Sequence, residues 1–153
     1  MLRIWRGRFE EARLEPLPAP TRAVLVHGDL RLGNFLHDGN DVTLLLDWEL
    51  AHWGDPAEDI AWMYRRLWSP EAFLPLADAL AVYEAAGGAP PERSRLQWYR
   101  VFAEARLAVI SLTAVRRFAD GRTRNLRHGG RRSMVNECLL DALQCIEMLE
   151  AAC

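Results

Sequence analysis

The feature that most constrains the fold is a change of period near residue 54. Before it, two apolar runs flank Asp38-Gly39-Asn40-Asp41 within "NFLHDGNDVTLLLD". That pattern predicts a β-hairpin, because glycine accepts the positive φ that a tight turn requires. Upstream, "AVLV" at 23–26 has the apolar, β-branched character of a short buried strand. After residue 54 the spacing predicts helices over 55–68, 70–86, 91–118 and 133–151. In the last, Val135, Cys138, Leu139, Ala142, Cys145, Ile146 and Leu149 share one face. "DPAE" supplies a helix start, with Asp55 as N-cap, Pro56 at the first helical position and Glu58 closing a capping box. Gly87-Gly88 ends the second helix.

Residues 3–14 read as a short amphipathic helix, closed by the Pro-rich "EPLPAP". The expected organisation is one domain over 1–153. Residues 1–20 form a helix and linker, 21–54 carry polar loops on strands, and 55–153 form a helical body. The class is α+β, mostly α.

Composition narrows the function. Half of the 153 residues are hydrophobic and 26% are charged, a globular rather than a disordered balance. A formal net charge of −2 argues against a generic polyanion binder, so no nucleic-acid partner is expected. There is no apolar run of about 18 residues and no signal-peptide pattern, so the expected location is the cytoplasm, away from membranes. Cys138 and Cys145 lie two helical turns apart, roughly 10 Å at 1.5 Å per residue, too far to bridge within one helix. They and Cys153 read as reduced thiols. No G-x-S-x-G, H-E-x-x-H or C-x-x-C occurs, so serine-hydrolase and zinc readings find no support.

The chemistry concentrates in "VLVHGDLRLGNFLHDGNDVTLLLDWELAHWGDPAEDIAW", residues 24–62. Asp29 follows the first strand, Asn34 opens the hairpin and Asp47 closes it. A hairpin brings its ends together, so Asn34 and Asp47 should lie side by side with converging oxygens. One carboxylate and one amide oxygen suit Mg²⁺ when water and phosphate fill its other positions. Asp29 is then free to accept a proton from an attacking hydroxyl. Taken singly, each of the three also reads as a turn or cap residue. Their joint spacing in this strand context is what points to a site.

"HGDLRLGN" followed by "LLLDWE" resembles the catalytic and metal-binding loops of the aminoglycoside phosphotransferase and choline kinase family, which is related to the protein kinases. The fuller pattern is similar to kinase-like domains associated with acyl-CoA dehydrogenases. The resemblance implies the C-terminal lobe of a protein-kinase-like fold, with phosphoryl transfer from ATP to the hydroxyl of a small molecule. It implies Asp29 as catalytic base and Asn34 and Asp47 as Mg²⁺ ligands, Asp47 bridging the ATP phosphates. Arg31 would neutralise charge near the γ-phosphate. His27 would be structural, and Asp59 would hydrogen-bond the catalytic-loop backbone. Glu49 is a candidate contact for metal or substrate, and equally a solvent-facing loop residue.

Two features depart from a complete enzyme of that type. All 19 basic residues are arginine, so no lysine is available for the nucleotide phosphates, and no glycine-rich loop precedes the first strand. The expectation is therefore a truncated or split enzyme, little active alone, whose N-terminal lobe lies on another chain or whose open face is covered by self-association. A non-catalytic kinase-like binding module is the alternative. Finally, "VRRFADGRTRNLRHGGRR" at 115–132 holds seven arginines and one aspartate. It reads either as a solvated loop or as a cationic rim in which Arg122, Arg124 and Arg127 receive an anionic substrate such as a hydroxy acid or hydroxyacyl compound. A polycationic aminoglycoside would be repelled by such a rim.

Overall fold

The computed structural model describes Leu17 and residues 23–150. The expected helix at 3–14, most of its Pro-rich linker and Cys153 lie outside these residues. Among the described residues the chain runs β1 (Val24–Val26), β2 (Phe35–Asp38), β3 (Asp41–Leu45) and β4 (His52–Gly54). Five helices follow: α1 (Pro56–Met63), α2 (Leu76–Ala85), α3 (Arg93–Ala119), α4 (Leu126–Gly130) and α5 (Arg132–Glu150). The fold is mostly helical with two small antiparallel sheets, β1–β4 and β2–β3.

The hairpin turns where the sequence predicts. Asp38 pairs with Asp41, and Gly39 takes φ 58° at the tip. The ladder slips between Leu36 and His37, which leaves Thr43 as the extra residue. Its hydroxyl donates to the Leu36 carbonyl at 3.2 Å and so ties down the bulge. Strand β4 was not anticipated. It pairs with β1 in the register Val24–Gly54, Leu25–Trp53 and Val26–His52, and so brings residues 52–54 beside the strand that feeds Asp29.

Helix α1 is capped by Asp55, whose side chain accepts from the Ala57 N–H at 2.9 Å, with Pro56 at the first position. The capping box fails at its second member. Glu58 turns away, to His52 Nε2 at 3.2 Å and Arg106 at 3.1 Å. The helix also stops at Met63 rather than near 68. Beyond it Arg65 turns inward, and the Trp68 indole donates to the Trp62 carbonyl at 2.8 Å, satisfying one of the groups a helix end leaves open. The next expected helix begins at Leu76 instead of 70. Pro75 disfavours helical backbone at Leu74, and the preceding residues form a turn closed on the Pro70 carbonyl.

Helix α3, about 40 Å long at 1.5 Å per residue, is the spine against which α1 and α5 pack. Trp62, Ala103, Leu107, Ala108 and Cys138 form the central cluster, flanked by Trp68, Met134 and Leu139. A second cluster joins Ala57 and Ala61 of α1 to Leu96 of α3. The α5 face sinks as its spacing predicts, with Cys138, Ala142 and Ile146 buried. Both described cysteines are free. Burial pushes the Cys138 thiol up and drives Cys145 to about 11, away from the thiolate form that a nucleophile uses. No helix among the described residues is long and apolar enough to cross a membrane.

Candidate active site

The first strand ends in a loop held from behind. Gly28 takes φ 82° and sits so near Leu50 that an added Cβ would lie 2.7 Å from its carbonyl oxygen, so only glycine fits. Asp59, on α1, accepts the backbone N–H of His27 at 2.6 Å and that of Gly28 at 2.9 Å. Both carboxylate oxygens are used, so the loop is fixed to the helix by two charge-assisted bonds. His27 is 2% exposed. Its Nε2 lies 2.7 Å from the Leu46 carbonyl, and its Nδ1 accepts the Asp29 N–H at 3.2 Å. These partners assign the neutral Nε2–H tautomer, in which the imidazole bridges two loops rather than shuttling a proton. Trp48 packs its ring 4.6 Å from the imidazole.

That loop presents Asp29. Its Oδ2 accepts from the Asn34 amide at 3.0 Å and from Arg31 Nε at 3.1 Å, and its Oδ1 accepts from the Trp62 indole at 2.8 Å. Asn34 is buried, and its amide also donates to the Asp29 carbonyl at 2.8 Å. Both amide hydrogens are thereby spent on residue 29, and Oδ1 of Asn34 accepts no hydrogen bond among the described residues. Gly33 makes room for Arg31, since a Cβ there would lie 2.7 Å from its NH1.

Asp47 follows the second strand of the hairpin. The Leu46 N–H donates to the Asn34 carbonyl at 2.8 Å, extending the β2–β3 ladder by one bond. Residues 34 and 47 therefore emerge from adjacent backbone. Asp47 adopts a left-handed conformation, φ 62° and ψ 54°, and is the one such non-glycine residue among those described. Its exposed carboxylate makes no hydrogen bond or ion pair among the described residues. A strained backbone that presents an unpaired acid is a usual signature of a binding position. No group of three or more His, Cys, Asp or Glu side chains among the described residues forms a metal cage. Asn34 with Asp47 is instead the sparse oxygen set that suits Mg²⁺ when phosphates and water supply the remaining ligands.

The other sequence-selected residues divide. Glu49 lies exposed in the short helical turn Trp48–Leu50, directly after Asp47, with no partner among the described residues. Arg122, Arg124 and Arg127 are exposed on a segment that is partly the short helix α4. Its hydrogen bonds among the described residues stay local or run to the end of α3, as in Arg122 N–H to the Arg117 carbonyl at 2.9 Å. None joins these arginines to the Asp29 loop.

Sequence reasoning missed what stands behind the loop. Trp62 donates to the Asp29 carboxylate. Arg65 and Glu104, each 4% exposed, form a buried two-point ion pair. The Arg65 guanidinium also stacks over Trp62 at 5.3 Å and over Trp68 at 4.7 Å. The available signal was the i, i+3 spacing of Asp59 and Trp62, which puts both on one face of α1. A cavity of about 430 Å³, lined in part by Tyr64, Arg65, Arg100, Glu104 and Gln144, lies beyond this backing and includes none of Asp29, Arg31, Asn34 and Asp47.

Comparison with known proteins bears on the fold and the family. The model of the phosphotransferase enzyme family matches residues 2–99. Acyl-CoA dehydrogenase family member 10 from Mus musculus is 41% identical over 59 residues, which is 37% of this chain and 6% of that protein. The crystal structure of a candidate aminoglycoside phosphotransferase from Ralstonia eutropha superposes with a TM-score of 0.66 over 96% of this chain, at 20% identity. This chain spans 54% of that structure's length. That likeness carries the kinase-like fold.

Proposed function

The chain belongs to the phosphotransferase enzyme family, and from that membership we propose that it transfers the γ-phosphate of ATP to a hydroxyl of a small molecule. The observation that carries the proposal is the convergence at the strand ends. The amide of Asn34 is tied to the carboxylate of Asp29 while the free carboxylate of Asp47 leaves adjacent backbone. In this reading Asp29 orients the acceptor hydroxyl and takes its proton, and Asn34 Oδ1 and Asp47 hold Mg²⁺. Magnesium bound there would offset charge on the ATP phosphates. Arg31, anchored through Nε, keeps its terminal nitrogens as donors for phosphate oxygens. His27 and Asp59 keep the loop in shape.

The likeness to a protein of the acyl-CoA dehydrogenase family supports a hydroxy acid or hydroxyacyl acceptor. Leu36 and Leu44, partners across the two strands, leave an apolar face of the hairpin exposed. That face supports a further polypeptide surface that closes over the nucleotide and supplies the cation this lysine-free sequence lacks.

Mg-ATP turnover against a panel of hydroxy acids tests the reading. Asp29→Asn is expected to lower kcat at least about a hundredfold while Mg-ATP affinity stays within about threefold. Asp47→Asn should lose the Mg-ATP affinity itself. A drop below about tenfold for Asp29→Asn contradicts the role given to that residue.

A further inference from the structure

We infer that Trp62 is a positioning residue for Asp29, an assignment that rests on the phosphotransferase reading above. The carboxylate of Asp29 is gripped on both oxygens, and the grip on Oδ1 is the indole N–H of Trp62 at 2.8 Å. On the opposite side Asn34 and Arg31 hold Oδ2. With donors on both sides the carboxylate plane cannot rotate freely about its last bond. A terminal sp³–sp² torsion of this kind is otherwise broad.

Trp62 can do this because it is itself immobilised. The residue is 4% exposed and packs in the central cluster with Ala103, Leu107 and Cys138. The Arg65 guanidinium covers its ring at 5.3 Å and that of Arg106 covers it at 4.8 Å. Arg65 is paired with Glu104, and Arg106 reaches Glu58 at 3.1 Å. Trp68 closes the set, its ring 5.4 Å from that of Trp62 and its N–H on the Trp62 carbonyl. The indole is thereby fixed to α1 and α3. Helix α1 holds the loop at two points on one face. Asp59 accepts from its backbone, and Trp62 donates to its reactive side chain. A buried indole needs an acceptor, and here the acceptor is the group on which the proposed chemistry depends.

Two variants isolate the N–H. Trp62→Phe keeps an aromatic ring without a donor. Replacing Trp62 by benzothienylalanine keeps the bicyclic shape and loses only the N–H. In the labelled full chain, the Trp62 indole proton should exchange at least about tenfold faster in Asp29→Ala than in the parent protein. The Asp29 carboxyl ¹³C resonance should move in the benzothienylalanine protein, with the circular dichroism spectrum unchanged. An indole exchange rate indifferent to Asp29→Ala, or a carboxyl resonance that stays in place, overturns the assignment. In Mg-ATP turnover, Trp62→Phe is expected to lower kcat about tenfold with KM for ATP unchanged. If Asp29→Asn turns over like the parent, the phosphotransferase reading falls, and the two resonance measurements still decide the contact.

Discussion

Two acids, Asp29 and Asp47, are held in opposite ways. Asp29 sits on a loop in which nearly every polar atom has a partner: Asp59 takes two backbone N–H groups, His27 bridges to Leu46, and three donors reach the Asp29 carboxylate. Asp47 sits at the end of the hairpin with an exposed, unpaired carboxylate on left-handed backbone. The first arrangement fixes a direction, and the second leaves an acceptor open. In the proposed mechanism this is the division of labour expected between an orienting base, whose geometry must be set before the substrate arrives, and a cation ligand, whose geometry the cation itself completes.

The sharpest way to break the contrast is to cut the loop from its helix. Asp59→Ala leaves the His27 and Gly28 N–H groups without their acceptor. Hydrogen bonds to a charged acceptor contribute about 1.5–3 kcal/mol each, and two that share one carboxylate are not additive. The expected loss is about 3 kcal/mol, read as a lower urea midpoint at constant slope. A loss below about 1 kcal/mol would mean that the Asp29 loop is held no more firmly than the Asp47 turn.

The parts of this site that follow from local chemistry were legible in the sequence. Asp38-Gly39 announced the hairpin, and the hairpin brought residues 34 and 47 onto adjacent backbone. The long helices and the buried face of α5 followed from their spacing. What escaped depends on contacts distant in sequence. Strand β4 is three residues with little pattern of its own, and it exists because β1 is there to pair with it. The Glu58 capping box lost to Arg106, 48 residues away, and to His52. Helix α1 stopped early because Arg65 is drawn to Glu104, 39 residues on. Trp62 is buried in the central cluster. Its donated hydrogen bond has no signature beyond falling three residues after Asp59.

A second, smaller effect sharpens the comparison from the other side. Asp47→Gly relieves left-handed backbone, a cost of about 1–2 kcal/mol for an L-residue and less for aspartate. It also loosens the unfolded chain by about 0.4–1 kcal/mol. The net expectation is a gain of roughly half a kcal/mol, against the large loss for Asp59→Ala. In the proposed mechanism Mg-ATP affinity falls at least about tenfold in the same variant. Thermal unfolding and a Mg-ATP titration on one preparation measure both. A loss of stability beyond about 1 kcal/mol would show that the Asp47 side chain supports the fold, and the contrast would fail.

The smallest effect concerns the seam between β4 and α1. His52 Nδ1 lies 3.0 Å from the Leu50 carbonyl and Nε2 lies 3.2 Å from Glu58 Oε2. The hydrogen bond to the Leu50 backbone raises its pKa above the usual 6.5, with the Glu58 charge adding to it and partial desolvation opposing. A group whose folded value is raised contributes stability that is complete below its unfolded value near 6.5 and is lost as pH climbs through the folded value. The side chain is 44% exposed, so solvent screening holds the contribution to under about 0.5 kcal/mol. The parent protein should therefore lose roughly one degree of Tm, relative to His52→Gln, between about pH 6 and about pH 8. Parallel scans of the two proteins give the difference directly. A difference that grows with pH would reverse the sign and place the neutral imidazole, rather than the cation, in the seam.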